Sequence, residues 1–244
     1  MTIQSAVMSG DHATVAEDEY LQTLYWLYEA GLPMTGANVA RAMQLAAPTV
    51  HEMIGRLQRD GYITRAGDKS IDFTELGERH AAEIVSRHRL IERFLTDVLG
   101  IPWDEVHEEA ERLEHAMSPV LEERMRAAIG EARTCPHGHP ISAGSRVPGV
   151  PLADVAQGAT VMVLRFENEA EDLLHYLRAV GLEPGLEAVV IEPGVEEITL
   201  EAGDRRITLT RSVAETVSVT ADPSPPPRVA LPEQLVLATQ RYGR

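Results

Sequence analysis

TGANVARAMQLAAPTVHEMIGRLQRDGYITRAGDKSIDFT, residues 35–74, is the stretch that decides how the first part of this chain folds. Thr35 can cap a short helix over 36–43, because a threonine hydroxyl accepts from an amide of the first turn. A brief Gln44-Leu45-Ala46-Ala47 turn follows. Pro48 then opens a second helix, where its missing N–H is not needed. Val50, Met53, Ile54 and Leu57 form one apolar stripe along it, and Gly61 closes it. Two β-rich stretches, Tyr62 to Arg65 and Ser70 to Thr74, flank Ala66-Gly67-Asp68-Lys69 and read as a tight hairpin. Two helices on a short turn followed by a hairpin predict a winged helix-turn-helix, whose second helix enters the major groove of duplex DNA.

That prediction assigns roles. Early residues of a recognition helix point into the groove, so Pro48 and Glu52 are the candidates for base contact. Ala47 or Pro48 can meet a thymine methyl. Thr49, His51 and Arg56 suit phosphate contact, with Arg59 near the helix end. The alternative is a plain capped helix.

Working outward, AEDEYLQTLYWLYEA (16–30) is apolar at helical spacing and ends at Gly31 and Pro33. After the hairpin a long helix runs from Thr74 to about Leu99, stopped by Gly100 and Pro102. Helices follow over 104–117 and 118–132. Residues 134–153 are rich in Pro, Gly and Ser and read as a linker. ATVMVLRF, LEAVVIE, EEITLEA, RRITLT and ETVSVT are five short alternating strands, interrupted by a helical pattern over 169–180. They predict a small β-barrel. The tail contains Pro-Ser-Pro-Pro-Pro.

The net charge of −16 argues against a uniformly basic nucleic-acid binder, yet between Arg41 and Lys69 five basic residues outnumber three acidic ones. No apolar run reaches the roughly 20 residues that span a bilayer. The first 12 residues lack a signal pattern, and the single cysteine, Cys135, excludes an intrachain disulfide. A cytoplasmic protein without membrane partners is the expectation.

The strongest chemical signal is His107-Glu108-Glu109-Ala110-Glu111-Arg112-Leu113-Glu114-His115. His107, Glu111, Glu114 and His115 stand at i, i+4, i+7 and i+8, one face of a helix. Two imidazoles and two carboxylates there can converge on metal; the alternative is a solvated acidic face. His88 and Glu92, four apart on the preceding helix, could be brought alongside by antiparallel packing. Neither His-Glu-x-x-His nor His-x-x-Glu-His occurs at 107–115, because position 111 is Glu, so no zinc-protease motif is present and no enzyme is expected. Cys135-Pro136-His137-Gly138-His139-Pro140 carries metal-type side chains but reads as a structural turn.

Taken in order, several short motifs resemble the diphtheria-toxin-repressor / manganese-transport-regulator family. They are Ala47-Pro48-Thr49-Val50, Arg59-Asp60-Gly61, Arg87-His88-Arg89-Leu90 with Glu92-Arg93-Phe94-Leu95, Glu114-His115 with Met117-Ser118, and Cys135-Pro136-His137-Gly138 with Pro140-Ile141. The resemblance covers about residues 15–141 and is looser beyond. It implies a metal-dependent repressor controlling manganese or iron homeostasis, working as a homodimer on a double-stranded operator. It implies a winged helix-turn-helix domain (1–74), a helical dimerisation and metal domain (75–141), a linker (142–154), an SH3-like β domain (155–220) and a tail (221–244). The fold class is then mainly α with a small β-barrel. Glu111, Glu114 and His115 fall on the family's main metal positions, with Glu19 on the first helix. His88, Glu92 and His107 fall on the others, with Glu169 or Asp172 from the third domain. Two ions per chain follow, Mn2+ or Fe2+. Carboxylates at 19 and 111 are harder than the Met and Cys of iron-type members and favour manganese. Gln22 stands where manganese-type members often carry an acid, and the long C-terminal part is more typical of iron-type members. The alternatives are an iron-selective repressor, a metal-binding protein that does not bind DNA, and a metalloenzyme. A metal joining Glu19 to the helix of Glu111 and His115 would set the spacing of two recognition helices.

Overall fold

The computed structural model describes residues 13–67, 70–142 and 144–221. The hairpin tip at Asp68 and Lys69, and all of the expected tail but its first residue, lie outside the described residues. The chain divides into two compact units, Met1–Arg146 and Val147–Arg244.

In the first unit, helix α1 spans Val15–Glu29. Thr14 and Glu17 close a capping box at its start: Glu17 N donates to Thr14 Oγ1 (3.4 Å) and Thr14 N to Glu17 Oε2 (2.7 Å). Helix α2, Gly36–Ala42, is capped by Thr35, and α3, Ala47–Arg59, carries Pro48 in its first turn. Gly61 follows with φ +82°, a left-handed conformation that frees the chain to turn into the hairpin. Strands β1 (Ile63–Arg65) and β2 (Ile71–Phe73) pair antiparallel, with Ile63 opposite Phe73 and Arg65 opposite Ile71. These elements form the winged helix-turn-helix.

Helix α4, Glu75–Asp97, is the spine of the unit. Its N-terminal half contributes Ala81, Ile84 and Val85 to a core shared with Leu21 and Leu24 of α1, Val39 of α2, and Val50, Ile54 and Leu57 of α3. Its C-terminal half contributes Leu90, Ile91 and Leu95 to a second core with Val106, Ala110, Met125 and Ile141. Helices α5 (Val106–Glu114) and α6 (Pro119–Ile129) supply that second core. One rigid helix therefore joins the winged helix-turn-helix to the acidic helices. The approach of α4 to the hairpin needs glycine at 77, because a Cβ there would lie 1.8 Å from the Tyr62 carbonyl oxygen.

The second unit is built on a six-stranded antiparallel sheet. In chain order its strands are β3 (Val150–Pro151), β4 (Thr160–Phe166), β5 (Glu187–Pro193), β6 (Glu197–Ala202), β7 (Arg205–Thr210) and β8 (Val217–Ala221). They lie in the order β3-β8-β4-β5-β6-β7. Helix α7, Glu171–Ala179, buries Leu174 and Leu177, and a short α8, Arg211–Ala214, precedes β8. The expected barrel is not closed: among the described residues β3 and β7 are the two edges of an open sheet. The physical reason lies in β3, which has two residues, one of them a proline with no N–H to extend a ladder. Bulges in β4 at Val163/Arg165 and in β5 at Val190/Glu192 bend the sheet without closing it. Residues 150–154, read from sequence as linker, belong to this unit: after β3, Leu152–Asp154 forms one 3-10 turn with Leu152 fully buried. No helix of the structure is long and apolar enough to cross a membrane, among the described residues.

Candidate metal centre

Helical spacing puts His88 and Glu92 on the buried face of α4, one turn apart, both at or below 1% exposure. Helix α5 packs against α4 and presents His107 near its start and Glu114 at its end. On α1, Asp18, Gln22 and Trp26 recur every fourth residue on one face. The Trp26 ring lies 5.9 Å from that of His88 and 5.7 Å from that of His107. The loop after α6 is folded back on itself, with Cys135 N donating to His139 O (2.8 Å) and Gly138 N to Cys135 O (3.0 Å).

These elements converge on Glu92. Its Oε1 lies 3.0 Å from His88 Nε2, 3.1 Å from His107 Nδ1 and 3.3 Å from His137 Nδ1. One ligand atom from each of His88, Glu92 and His107 falls within 4.8 Å of the others, and the same holds for Glu92, Cys135 and His137. Glu92 Oε2 is buried with no hydrogen-bond partner. A buried carboxylate oxygen left unpaired is costly, and a cation satisfies it. Imidazole, carboxylate and thiolate are all ligands of transition-metal ions, so this donor set fits a divalent cation.

A second cluster continues from the first. Glu114 is 5% exposed, and its Oε2 lies 2.7 Å from His88 Nδ1 and accepts from Gln22 Nε2 at 3.4 Å. Glu114 Oε1 lies 3.3 Å from His115 Nε2, and His115 Nδ1 is 3.6 Å from Asp18 Oδ2. Asp18, Ile84, Arg87, Glu114, His115 and Met117 line a pocket of about 70 Å³.

Electrostatics follow from this packing. Burial pushes the His88 imidazole down, but the Glu92 charge and hydrogen bonds to Glu114 and Glu92 outweigh it and raise it to about 9. Burial likewise pushes the Glu92 carboxyl up. The charges of His137 and His88, with hydrogen bonds from His107 and His137, hold it well below the usual carboxylate range. The folded chain therefore keeps a proton on His88 that the unfolded chain releases near 6.5. Between those values the native state binds more protons, so stability is full below pH 6.5 and declines as pH rises toward 9. Metal-free protein is expected to lose roughly 3 kcal/mol across that window, read from urea melts at pH 6.5 and 9. The contribution of Glu92 has the opposite sense: it is present above pH 4.5 and lost as pH falls through its depressed value.

The structure distributes the site residues expected from sequence unequally. His107, Glu111, Glu114 and His115 do not converge on one point. Helix α5 ends at Glu114, so His115 is its cap residue and turns to Asp18, while His107 turns to Glu92. The Glu111 side chain is 53% exposed, with Oε1 3.5 Å from His107 Nε2. Glu19 is exposed and does not line the pocket, whereas its neighbour Asp18 does. Glu169 and Asp172 belong to the second unit, just before α7 and in its first turn. Sequence reasoning missed Asp18, and it set Cys135 and His137 aside as a structural turn. The i, i+4 spacing of Asp18 and Gln22 was a legible signal; the loop that carries Cys135 and His137 gave none beyond its residue types.

The residues expected at DNA are exposed on α3: Ala47, Pro48, Thr49, His51, Glu52, Arg56 and Arg59. Arg56 also pairs back to α1, its Nε 2.7 Å from Glu17 Oε1. Burial raises the Glu17 carboxyl, but hydrogen bonds with Thr14 and the Arg56 charge lower it on balance.

Three family models match. Residues 12–71 match the iron-dependent-repressor N-terminal DNA-binding domain, 74–143 its metal-binding and dimerisation domain, and 150–221 the FeoA domain. The chain is 42% identical over 122 residues to the iron-dependent repressor IdeR of Mycobacterium tuberculosis, which covers 50% of this chain and 53% of the relative. It is 35% identical over 146 residues to the diphtheria toxin repressor of Corynebacterium diphtheriae, covering 56% and 65%. The chain thus spans little more than half the length of the curated relatives it matches. Among solved structures it is similar to T. acidophilum IdeR, with a TM-score of 0.73, 26% identity, and coverage of 87% and 100%. It is also similar to a manganese-dependent transcriptional repressor in complex with manganese, with a TM-score of 0.77, 28% identity, and coverage of 84% and 100%.

Proposed function

Because the chain belongs to the diphtheria-toxin-repressor / manganese-transport-regulator family, we propose that it is a metal-activated transcriptional repressor in manganese or iron homeostasis. It acts in the cytoplasm as a homodimer on a double-stranded operator, with Mn2+ or Fe2+ as co-repressor, two ions per chain, and no turnover of its own.

The observation that carries this reading is that α1 serves two sites at once. Leu21 and Leu24 of α1 lie in the core that holds the recognition helix, while Gln22 and Trp26 reach the carboxylates and imidazoles of α4 and α5. Glu92, His88 and His107, joined by Cys135 and His137, are the ligands of the buried centre. Glu114 and His115, with α1, hold the other ion. Glu19 and Glu111, exposed here, are the family's further positions. The cation supplies charge that lets the carboxylates of α1 and α5 approach without repulsion. The chain's own residues set the angle: any shift of α1 toward α5 carries the core, and with it α3. A bias of this kind acts only through a difference in metal affinity between two arrangements.

At the DNA, the exposed start of α3 presents Ala47, Pro48 and Glu52 to bases, and Thr49, His51, Arg56 and Arg59 to phosphates. For the dimer, the first unit leaves Leu99, Leu113, Val120 and Leu121 exposed, large apolar side chains suited to a second copy.

Duplexes with a random core, selected on manganese-loaded protein, provide the test. Chelation with EDTA is expected to weaken binding of the selected duplex about 5–150-fold, the usual span of such couplings. Equal affinity with and without metal overturns the reading. Manganese uptake with no selected duplex points to a metal-binding protein that does not bind DNA.

A further inference from the structure

We propose that Glu17, in the first turn of α1, is a positioning residue for DNA: it holds the Arg56 guanidinium of the recognition helix where it meets a phosphate. This rests on the DNA-binding reading above and uses none of the metal ligands. Pro48, Glu52 and Arg56 recur every fourth residue and share one face of α3. Arg56 stands about 12 Å farther along the helix axis than Pro48, past the first turns that read bases.

Two carboxylates compete for this arginine. Glu17 Oε1 lies 2.7 Å from Arg56 Nε, and Asp60 Oδ2 lies 3.7 Å from the same atom. The Glu17 side chain is 4% exposed and that of Asp60 46%, so water screens the longer pair and Glu17 decides where the guanidinium sits. Glu17 is fixed in turn. Its Oε2 accepts from Thr14 N (2.7 Å) and from Thr14 Oγ1 (2.8 Å). One oxygen therefore serves the cap of α1 and the other the recognition helix.

The ion pair is made at Nε, the guanidinium nitrogen nearest the chain, in a side chain that is 44% exposed. The outer Nη groups form the fork that a phosphate takes. An unanchored arginine loses rotamer freedom when it binds; one already held at Nε has lost part of it in the free protein. The anchor also crosses from α1 to α3, so this phosphate contact depends on where α1 lies. The sign of the effect is diagnostic. Taking a negative charge away from a DNA-binding surface ordinarily strengthens binding. Here it weakens it.

Full-length, manganese-loaded wild type, Glu17→Gln, Arg56→Ala and the double variant are titrated by fluorescence anisotropy against the selected duplex at several salt concentrations. Arg56→Ala is expected to flatten the dependence of log K on log salt by about 0.9, one phosphate. Glu17→Gln keeps the volume and an oxygen for Thr14, and is expected to weaken binding about 2–10-fold, the ordering cost of one such side chain. In the Arg56→Ala background the same substitution weakens it no further. Should Glu17→Gln not fold, Glu17→Asp keeps the charge but is one methylene short of Arg56, and carries the same expectation. Unchanged or tighter binding by Glu17→Gln, an equal loss in both backgrounds, or a wild-type salt dependence in Arg56→Ala overturns the proposal alone. A wild type that binds no duplex overturns the DNA reading beneath it.

Discussion

Glu92→Ala is expected to abolish the buried centre, lowering manganese affinity there at least about 100-fold, more than the loss of a residue that only orients a ligand. The carboxylate is fully buried and its Oε1 is shared among the imidazoles of His88, His107 and His137. No relaxation within a packed interior brings a surface carboxylate to the same point. The variant also carries a signature that needs no metal. The Glu92 charge is the largest influence raising His88; without it the hydrogen bond to Glu114 is left to oppose burial, and the imidazole falls from its raised value. The decline in stability between pH 6.5 and 9 should therefore flatten. Glu92→Gln keeps the volume and separates loss of charge from loss of packing. Calorimetry with manganese, paired with urea melts at the two pH values, reads both effects. A Glu92→Ala protein that binds manganese like the wild type and keeps the wild-type pH slope would show that the centre lies elsewhere.

How far the sequence carries such an argument depends on whether the relevant spacing is local. His88 and Glu92 were legible because four residues on a helix are one turn, whatever surrounds it. The hairpin was legible from Gly61 and the two β-rich stretches that follow it; its register, with Arg65 opposite Ile71, was not. The larger pattern over 107–115 failed in part for a local reason: it assumed that α5 continued through His115. The helix stops at Glu114, and each end serves a different cluster. Asp18, Cys135 and His137 join the site only through tertiary packing. Sheet closure is non-local in the same sense. Alternation identified β4 to β8, but the edge was decided by a two-residue strand containing Pro151, in a stretch whose composition reads as linker. Leu152 and Ala153 of that stretch are buried.

Glu29→Ala is expected to destabilise the chain by about 3–5 kcal/mol, although it removes no part of either cluster. Glu29 is the last residue of α1, and its carboxylate takes both ends of the Arg89 guanidinium from α4. The two side chains are only 8% and 4% exposed. Arg89 Nη1 also donates to the Pro140 carbonyl (3.0 Å), in the loop that carries Cys135 and His137. Exposure decides the magnitude. The Arg133–Glu131 pair, at 83% and 95%, is screened by water, and its loss should be barely measurable. Removing Glu29 instead leaves the buried Arg89 guanidinium without its carboxylate. At 2–4 °C per kcal/mol for a chain of this size, the midpoint should fall by roughly 10 °C in a thermal melt. Arg89→Met with Glu29→Leu, which removes both charges and keeps the volume, should recover most of the loss. Saturating manganese should recover part of it in the single variant, about 2.7 kcal/mol at a hundredfold excess over Kd, because the ion binds the folded chain alone. A single variant that melts within about 2 °C of wild type would mean that water reaches Arg89, and that α1 is held to α4 by its apolar contacts without this pair.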